Sequence, residues 1–457
     1  MPKDVQPKIN LSELPLELVD QILKHLDAIS LAKSRQVCRS WRALISQQKY
    51  NLFWRSACFR DIGKDVLIEL RGDCADSAIS SNVIVWEDVY KEWYRSRHIG
   101  KWPFVITELK GHIGFTLQDD QEQTIILFDI ISSRGPIWDV KFSGDQVVTS
   151  GQDCTIRIWD SWTTHCITTV QAHRDSVSSI ALRKSTGLLS SADLPHDLMV
   201  SGSRDCLVKV WDLKTLLLTP FHPLTSPSCL VTLHGHTACI NCVTVHSNFA
   251  ASASDDCCVL VWDITKGHCY YELSNLGNWV KFVRLWKDEL LLCVTDNNDM
   301  LLWRVRDKLL SSVAVKDVSV DSSSAVTVSG VLGAVLRGKS ALILTQHDGL
   351  SVWENEQGHL LHNITLNGLH GNNVPRGECL AMRGALVAIG TRSGAVYIYH
   401  VDGKWEDQFS KAHCLLHVSK SPITAVALDD DGLGPAVVAA GEDGIVKVYR
   451  WFPASAT

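Results

Sequence analysis

The stretch VSGSRDCLVKVWD, Val200–Asp212, decides the fold because it comes back. One repeat later the chain reads ASASDDCCVLVWD (Ala251–Asp263), and one repeat earlier VTSGQDCTIRIWD (Val148–Asp160). Each copy passes from small residues through an Asp to alternating apolar residues, and ends in a Trp six positions after the Asp. Alternation of period two is a strand with one buried face. The Asp-containing turn before it makes that strand the second half of a hairpin. From Trp159 to Trp211 is 52 residues, to Trp262 another 51, to Trp303 another 41 and to Trp353 another 50. Tyr399 and Tyr449 then take the place of Trp, at intervals of 46 and 50. A four-strand unit recurring at this period, each with an aromatic strand, predicts a β-propeller.

These residues resemble the WD-repeat family. In that family a His before the first strand, a Ser or Thr on the second, an Asp in the turn and a Trp on the third form a buried hydrogen-bonded chain. His173, Ser201, Asp205 and Trp211 match that set completely, as do His236, Ser252, Asp256 and Trp262. Thr149, Asp153 and Trp159 match three of the four, with Ser133 where the His would be. Later repeats keep the apolar strand and lose most of the polar set. Seven repeats are expected over 103–457, with those spanning 280–315 and 325–366 the most degenerate. Insertions at 183–197 and 220–227 fall in the second repeat and read as loops, where recognition usually sits. Thr124–Ile130, TIILFDI, reads as the strand that closes the ring against the C-terminal strands. Residues 103–117 are the alternative, as the closing strand or as part of an eighth blade.

The N-terminal part has another period. Residues 1–9 are a polar tail, and 10–56 contain LSELPLELVDQILKHLDAISLAKSRQVCRSWRALI. Pro15 suits a helix's first turn, where a missing N–H costs nothing. Leu16, Val19, Leu23 and Leu26 then fall at helical spacing, widened by Leu18 and Ile22. Ser30 is expected to cap a second helix, with Val37, Trp41, Leu44 and Ile45 on its apolar face. So short a unit has more apolar surface than it buries alone. It resembles an F-box in its Leu14-Pro15 pair, its spaced leucines, the VCRSW run at Val37–Trp41 and Phe53-Trp54. That resemblance implies docking onto the Skp adaptor of a cullin–RING ubiquitin ligase through Leu14, Pro15, Leu18, Ile22, Val37, Cys38 and Trp41. The alternative is a helical hairpin packed on the chain's own propeller. Residues 57–102 read as a helical connector, whose segment Val85–Arg97 puts Trp86, Val89, Tyr90 and Trp93 on one face.

Composition excludes other classes. The net charge of -6 offers no basic footprint for nucleic acid. A DNA-reading helix is rejected because Lys33, Arg35, Arg39 and Arg42 sit among apolar anchors. No apolar run reaches the ~20 residues of a membrane span, and no signal-peptide core is visible. The 15 cysteines are therefore expected to be reduced thiols of a cytoplasmic or nuclear protein. Cys239 and Cys242 have C-x-x-C spacing but no second pair, so packing is expected rather than a metal site. Phosphate loops, nucleophile elbows and H-E-x-x-H helices are missing, so no catalytic residues or cofactors are expected.

Both modules together resemble F-box/WD-repeat proteins, giving a mainly β fold with a small all-α domain before a seven-bladed WD-repeat β-propeller. The implied role is that of a non-catalytic substrate receptor in a Skp–cullin–F-box ubiquitin ligase. A scaffold working without ubiquitin transfer is the alternative. Partners of WD repeats often bind the face carrying the first-strand entry loops and the residues before the turn Asp. Those positions are Trp138, Gln152, Arg204, Asp255, Trp279, Lys281, Arg392 and Glu442. Trp138, Arg204, Trp279, Lys281 and Arg392 are the substrate-face candidates, as aromatic and cationic anchors.

Overall fold

The structure is a computed structural model that describes residues 15–46, 49–71, 85–109, 135–183, 197–218, 229–286, 290–296, 300–304, 313–315, 331–337, 340–345, 349–354, 360–364, 377–402, 409, 412–430, 432 and 434–452. It divides into two compact units, Met1–Tyr94 and Arg95–Thr457.

The first unit is helical. Its elements are α1 (Leu16–Lys24), α2 (Ala28–Ser34), α3 (Arg39–Ile45), α4 (Lys49–Asp61), α5 (Lys64–Arg71) and the start of α6 (Trp86–Arg97). Pro15 sits at the N-cap of α1 with φ -54, as its ring requires. Asp27, rather than Ser30, caps α2: its carboxylate accepts the Ser30 amide at 2.9 Å. A carboxylate at that site also meets the positive end of the helix, which favours it over a hydroxyl. Val19, Leu23, Leu31, Trp41, Leu44 and Ile45 are buried. The aromatic face of α6 is spent inside this unit. Trp86, Tyr90 and Trp93 are buried, and the Tyr90 ring lies 5.6 Å from Trp54 and 5.3 Å from Trp93. The Tyr90 hydroxyl donates to Asp61 at 3.0 Å. Arg35 makes a two-pronged ion pair with Glu87, the fork-to-carboxylate geometry that gives such pairs their directionality.

In the second unit the described strands form seven four-stranded antiparallel sheets. The first is Ile137–Ser143, Gln146–Gly151, Thr155–Asp160 and Cys166–Gln171. The next five follow the same meander over 177–233, 240–273, 280–315, 331–364 and 377–417. A short helix, α7 (Leu213–Leu218), joins the third and fourth strands of the second sheet. The opening strands of successive sheets lie side by side, and Ile423–Asp430 of the seventh returns to lie beside Ile137–Ser143. Alternating positions are almost wholly buried and fill the space between neighbouring sheets, as with Val200, Val208, Val210, Val243, Ala250 and Trp262 between the second and third.

The seventh sheet closes differently from the others. Its outer strand is Phe104–Leu109, paired antiparallel with Val446–Trp451 in the register Phe104 to Trp451 and Leu109 to Val446. The closing strand is therefore the earlier of the two candidate segments. Thr124–Ile130, expected to close the ring, lies outside the described residues. Phe104, Val105 and Ile106 remain 41 %, 55 % and 54 % exposed along this outer strand.

Candidate functional site

Two surfaces carry the residues singled out by the sequence. On the helical unit Pro15, Leu18, Ile22 and Val37 are exposed, Leu18 at 48 %, Ile22 at 42 % and Val37 at 51 %. Exposure of such large aliphatic side chains costs free energy in water, about 1.5–3 kcal/mol each relative to full burial. Cys38 is half-buried at the N-cap of α3, and Leu14 lies outside the described residues. Trp41 corrects the expectation. It is 6 % exposed and belongs to the interior with Leu44 and Ile45, so it holds α3 in place rather than offering surface. Leu52, 64 % exposed on α4, is an apolar residue the sequence reading passed over. It stands directly before the Phe53-Trp54 pair, in an aromatic-rich run whose chain spacing does not tell the exposed face from the buried one.

On the β-rich unit, the turns joining the second and third strands of each sheet carry the other surface. Their geometry begins with the buried polar chains. His173 bonds Asp205 through Nδ1 at 3.0 Å and Ser201 through Nε2 at 2.8 Å, and Trp211 Nε1 donates to Ser201 at 2.9 Å. In the third sheet His236 meets Asp256 at 2.7 Å and Ser252 at 2.7 Å, with Trp262 donating to Ser252 at 2.8 Å. In the first sheet Trp159 donates to Thr149 at 2.9 Å, while Asp153 accepts from Arg157 at 3.0 Å and from Thr155. Ser133 lies outside the described residues.

Burial raises the Asp205 carboxyl, but bonds from His173 and from the Arg174 and Leu207 amides outweigh it and bring the group down to about 2. Burial lowers His173, and Asp205 only partly offsets that. These groups are wired into the fold, and what they do is fix the turns.

In the described turns one residue stands just after the second strand, at the same sheet edge as the second residue of that sheet's first strand. In three sheets those two positions satisfy each other. Asn241 donates to Asp255 at 2.6 Å, Lys281 pairs with Asp296 at 2.5 Å, and Arg392 approaches Glu378 at 4.0 Å. The second sheet departs from the pattern, as does the seventh, where the Thr424 hydroxyl donates to the Ala440 carbonyl at 3.1 Å. In the second sheet the first-strand residue is Ser178, whose hydroxyl bonds the Gly202 and Ile240 carbonyls. Arg204, at the turn position, is exposed and sits 5.9 Å above the Trp138 ring of the first sheet. The Trp138 indole N–H is buried and has no hydrogen-bond partner among the described residues. Of the sequence candidates, the structure thus brings Arg204 and Trp138 together, and gives Lys281 and Arg392 acidic neighbours. Trp279, two positions before Lys281, stands 54 % exposed. The acids Asp296 and Glu378 were not singled out in the sequence, because their role depends on which strand ends share a sheet edge.

Among the described residues no His, Cys, Asp or Glu group is arranged to hold a metal ion. Cys242 is buried, with its sulfur 3.5 Å from the Val283 carbonyl, and Cys239 is half-buried in the turn before it. Among the described residues no helix is long and apolar enough to cross a membrane.

Residues 11–53 match the F-box domain family, and residues 127–160, 164–212 and 227–263 match the WD domain, G-beta repeat family. The chain is 25 % identical over 320 residues to the WD repeat-containing protein pop1 of Schizosaccharomyces pombe, covering 58 % of this chain and 41 % of that protein. It is 21 % identical over 383 residues to Cell division control protein 4 of Saccharomyces cerevisiae, covering 75 % and 47 %. To F-box/WD repeat-containing protein 7 of Drosophila melanogaster it is 28 % identical over 192 residues, covering 39 % and 12 %. The chain spans less than half the length of these relatives.

Proposed function

With an F-box domain followed by WD repeats as the premise, we propose that this chain is the substrate-recognition subunit of a Skp–cullin–F-box ubiquitin ligase. In this reading the seven sheets are the seven blades of one propeller that holds a target protein. The F-box docks on a Skp-type adaptor and, through it, on a cullin–RING core. The protein does no bond chemistry itself. It turns the encounter between a target lysine and a charged ubiquitin carrier into a near-intramolecular event, whose rate is set by effective concentration. Such a receptor works in the cytoplasm or nucleus, where the ligase core is found.

One observation carries the reading: Leu18, Ile22 and Val37 stay exposed on the helical unit while Val19, Leu23 and Leu31 beside them are fully buried. An apolar face left over after the unit's own core is complete matches an obligate hydrophobic interface. The test is co-expression of the full chain with a Skp adaptor and a cullin, followed by affinity purification. A one-to-one complex with the adaptor and recovery of the cullin are expected. The double variant Leu18→Asp, Ile22→Asp should lose both while the β-rich unit keeps its melting transition. Adaptor binding without cullin recovery would turn the assignment to a scaffold that works without ubiquitin transfer. No adaptor binding at all would overturn it.

A further inference from the structure

We infer that the edge between the first and second sheets reads a target segment carrying one unmodified carboxylate beside an apolar residue, rather than a multiply phosphorylated one. This rests on the receptor reading above and names the chemistry its propeller face selects. The argument is one of charge already spent. At the two positions that meet at each turn, Lys281 is neutralised by Asp296, Arg392 faces Glu378, and Asp255 is held by Asn241. Glu442, at the same position of the seventh sheet, is exposed and adds negative charge. A dianionic phosphate needs several converging cations, and here Lys281 and Arg392 come with their own anions.

Arg204 is the exception. Ser178 takes the place where the third, fourth and sixth sheets keep Asn241, Lys281 and Glu378, and its hydroxyl is turned to backbone carbonyls. No ion pair holds Arg204 among the described residues, and its guanidinium rests over the Trp138 ring at 5.9 Å. A stacked guanidinium keeps its outward N–H groups free to grip one carboxylate in a fork, and the aromatic ring beneath supplies apolar area for a neighbouring side chain. Arg204 and Trp138 are thus specificity residues for an acidic-apolar pair of side chains.

The test pans a randomised octapeptide display library on the full chain co-expressed with the Skp adaptor, and on its Arg204→Gln variant. Arg204 is exposed, so the variant should keep the parent's melting curve. Enriched peptides should share an Asp or Glu next to an aromatic or aliphatic residue, and Arg204→Gln should abolish that enrichment. A fluorescent copy of the winning peptide should lose about tenfold in affinity when its acid is changed to the amide. The phosphoserine copy should bind no tighter than the carboxylate one. A consensus without an acid, the same consensus on Arg204→Gln, no enrichment at all, or a phosphoserine copy more than about tenfold tighter would each overturn the inference. Adaptor capture, read on the same preparation, separates these outcomes from failure of the receptor assignment.

Discussion

The second and third sheets and the sixth and seventh sheets reach the same strand geometry by different chemistry. In the former pair a His, a Ser, an Asp and a Trp form a closed chain of hydrogen bonds, and the residue after the turn Asp is a cysteine. Cys206 and Cys257 sit there at φ 68 and 63, as Cys154 does in the first sheet at φ 62. In the latter pair the polar chain is gone. Tyr399 and Tyr449 fill the Trp position fully buried, and the left-handed turn residues are Gly394 and Gly444, at φ 81 and 73. The first pair tolerates a strained cysteine because four side chains hold its turn. The second leaves the turn to a residue without strain and relies on packing. The first sheet mixes the two, with Cys154 in the left-handed turn, Trp159 bonded to Thr149, and Asp153 bonded to Arg157 and Thr155 instead of a His.

The largest expected effect comes from cutting the polar chain. Ser252→Ala removes the acceptor for Trp262 Nε1 and the partner of His236 Nε2, leaving two buried groups unsatisfied. It should cost about 2–4 kcal/mol in urea unfolding. Ser351→Ala in the fifth sheet removes only the bond from Trp353 at 2.8 Å, and about 1–2 kcal/mol is expected. Equal costs at the two sites would break the comparison.

Acid comes next. His173 and His400 are both held below the usual 6.5, His173 by burial within its polar chain, His400 down to about 3 by burial and by the positive charge of His413, Arg97, Arg337 and His98. The unfolded chain takes up their protons first, so their contribution is complete above pH 6.5 and drains as pH falls. A group that stays neutral gives up about 2 kcal/mol between pH 6.5 and 5. Urea midpoints across that range should fall, and His400→Leu should flatten the slope if that variant is as stable as the parent at pH 8.

Tyr449→Phe deletes one hydroxyl bond, to the His417 carbonyl at 2.8 Å. About 1 kcal/mol is expected, less than any cut through a polar chain. Last and opposite in sign, Cys206→Gly should relieve the positive φ and leave the protein unchanged or up to about 1 kcal/mol more stable. Gly394→Ala, by contrast, would push a methyl to 2.2 Å from the Ser419 carbonyl and should destabilise. A destabilised Cys206→Gly would mean that the thiol contributes something the turn geometry does not explain.

Much of this was legible in the chain. The Asp-to-Trp spacing marks the first three sheets, and Trp303, Trp353, Tyr399 and Tyr449 mark the rest, because burial of an alternating strand shows in any single repeat. The two complete polar chains were also legible, since each lies within one short stretch. The closing strand was not. Phe104–Leu109 and Thr124–Ile130 are both apolar runs, and only pairing with a strand more than 300 residues away separates them. Trp41 failed for a related reason: helical periodicity says that a residue has an apolar environment, not whether that environment belongs to the chain or to a partner. The Arg204 exception lay in Ser178, a small residue with no chemistry of its own to draw attention.

The pairing of Phe104–Leu109 with Val446–Trp451 sets a clock. A ribosome adds roughly 5–20 residues per second, so the early strand waits on the order of tens of seconds for its mate. Phe104, Val105 and Ile106 emerge long before anything can complete their sheet. Until then the nascent chain carries an unfinished apolar edge, the kind of feature that folding helpers engage and quality control inspects. Loss of Val446–Trp451 would leave nearly every other strand intact and still deny the molecule its closure.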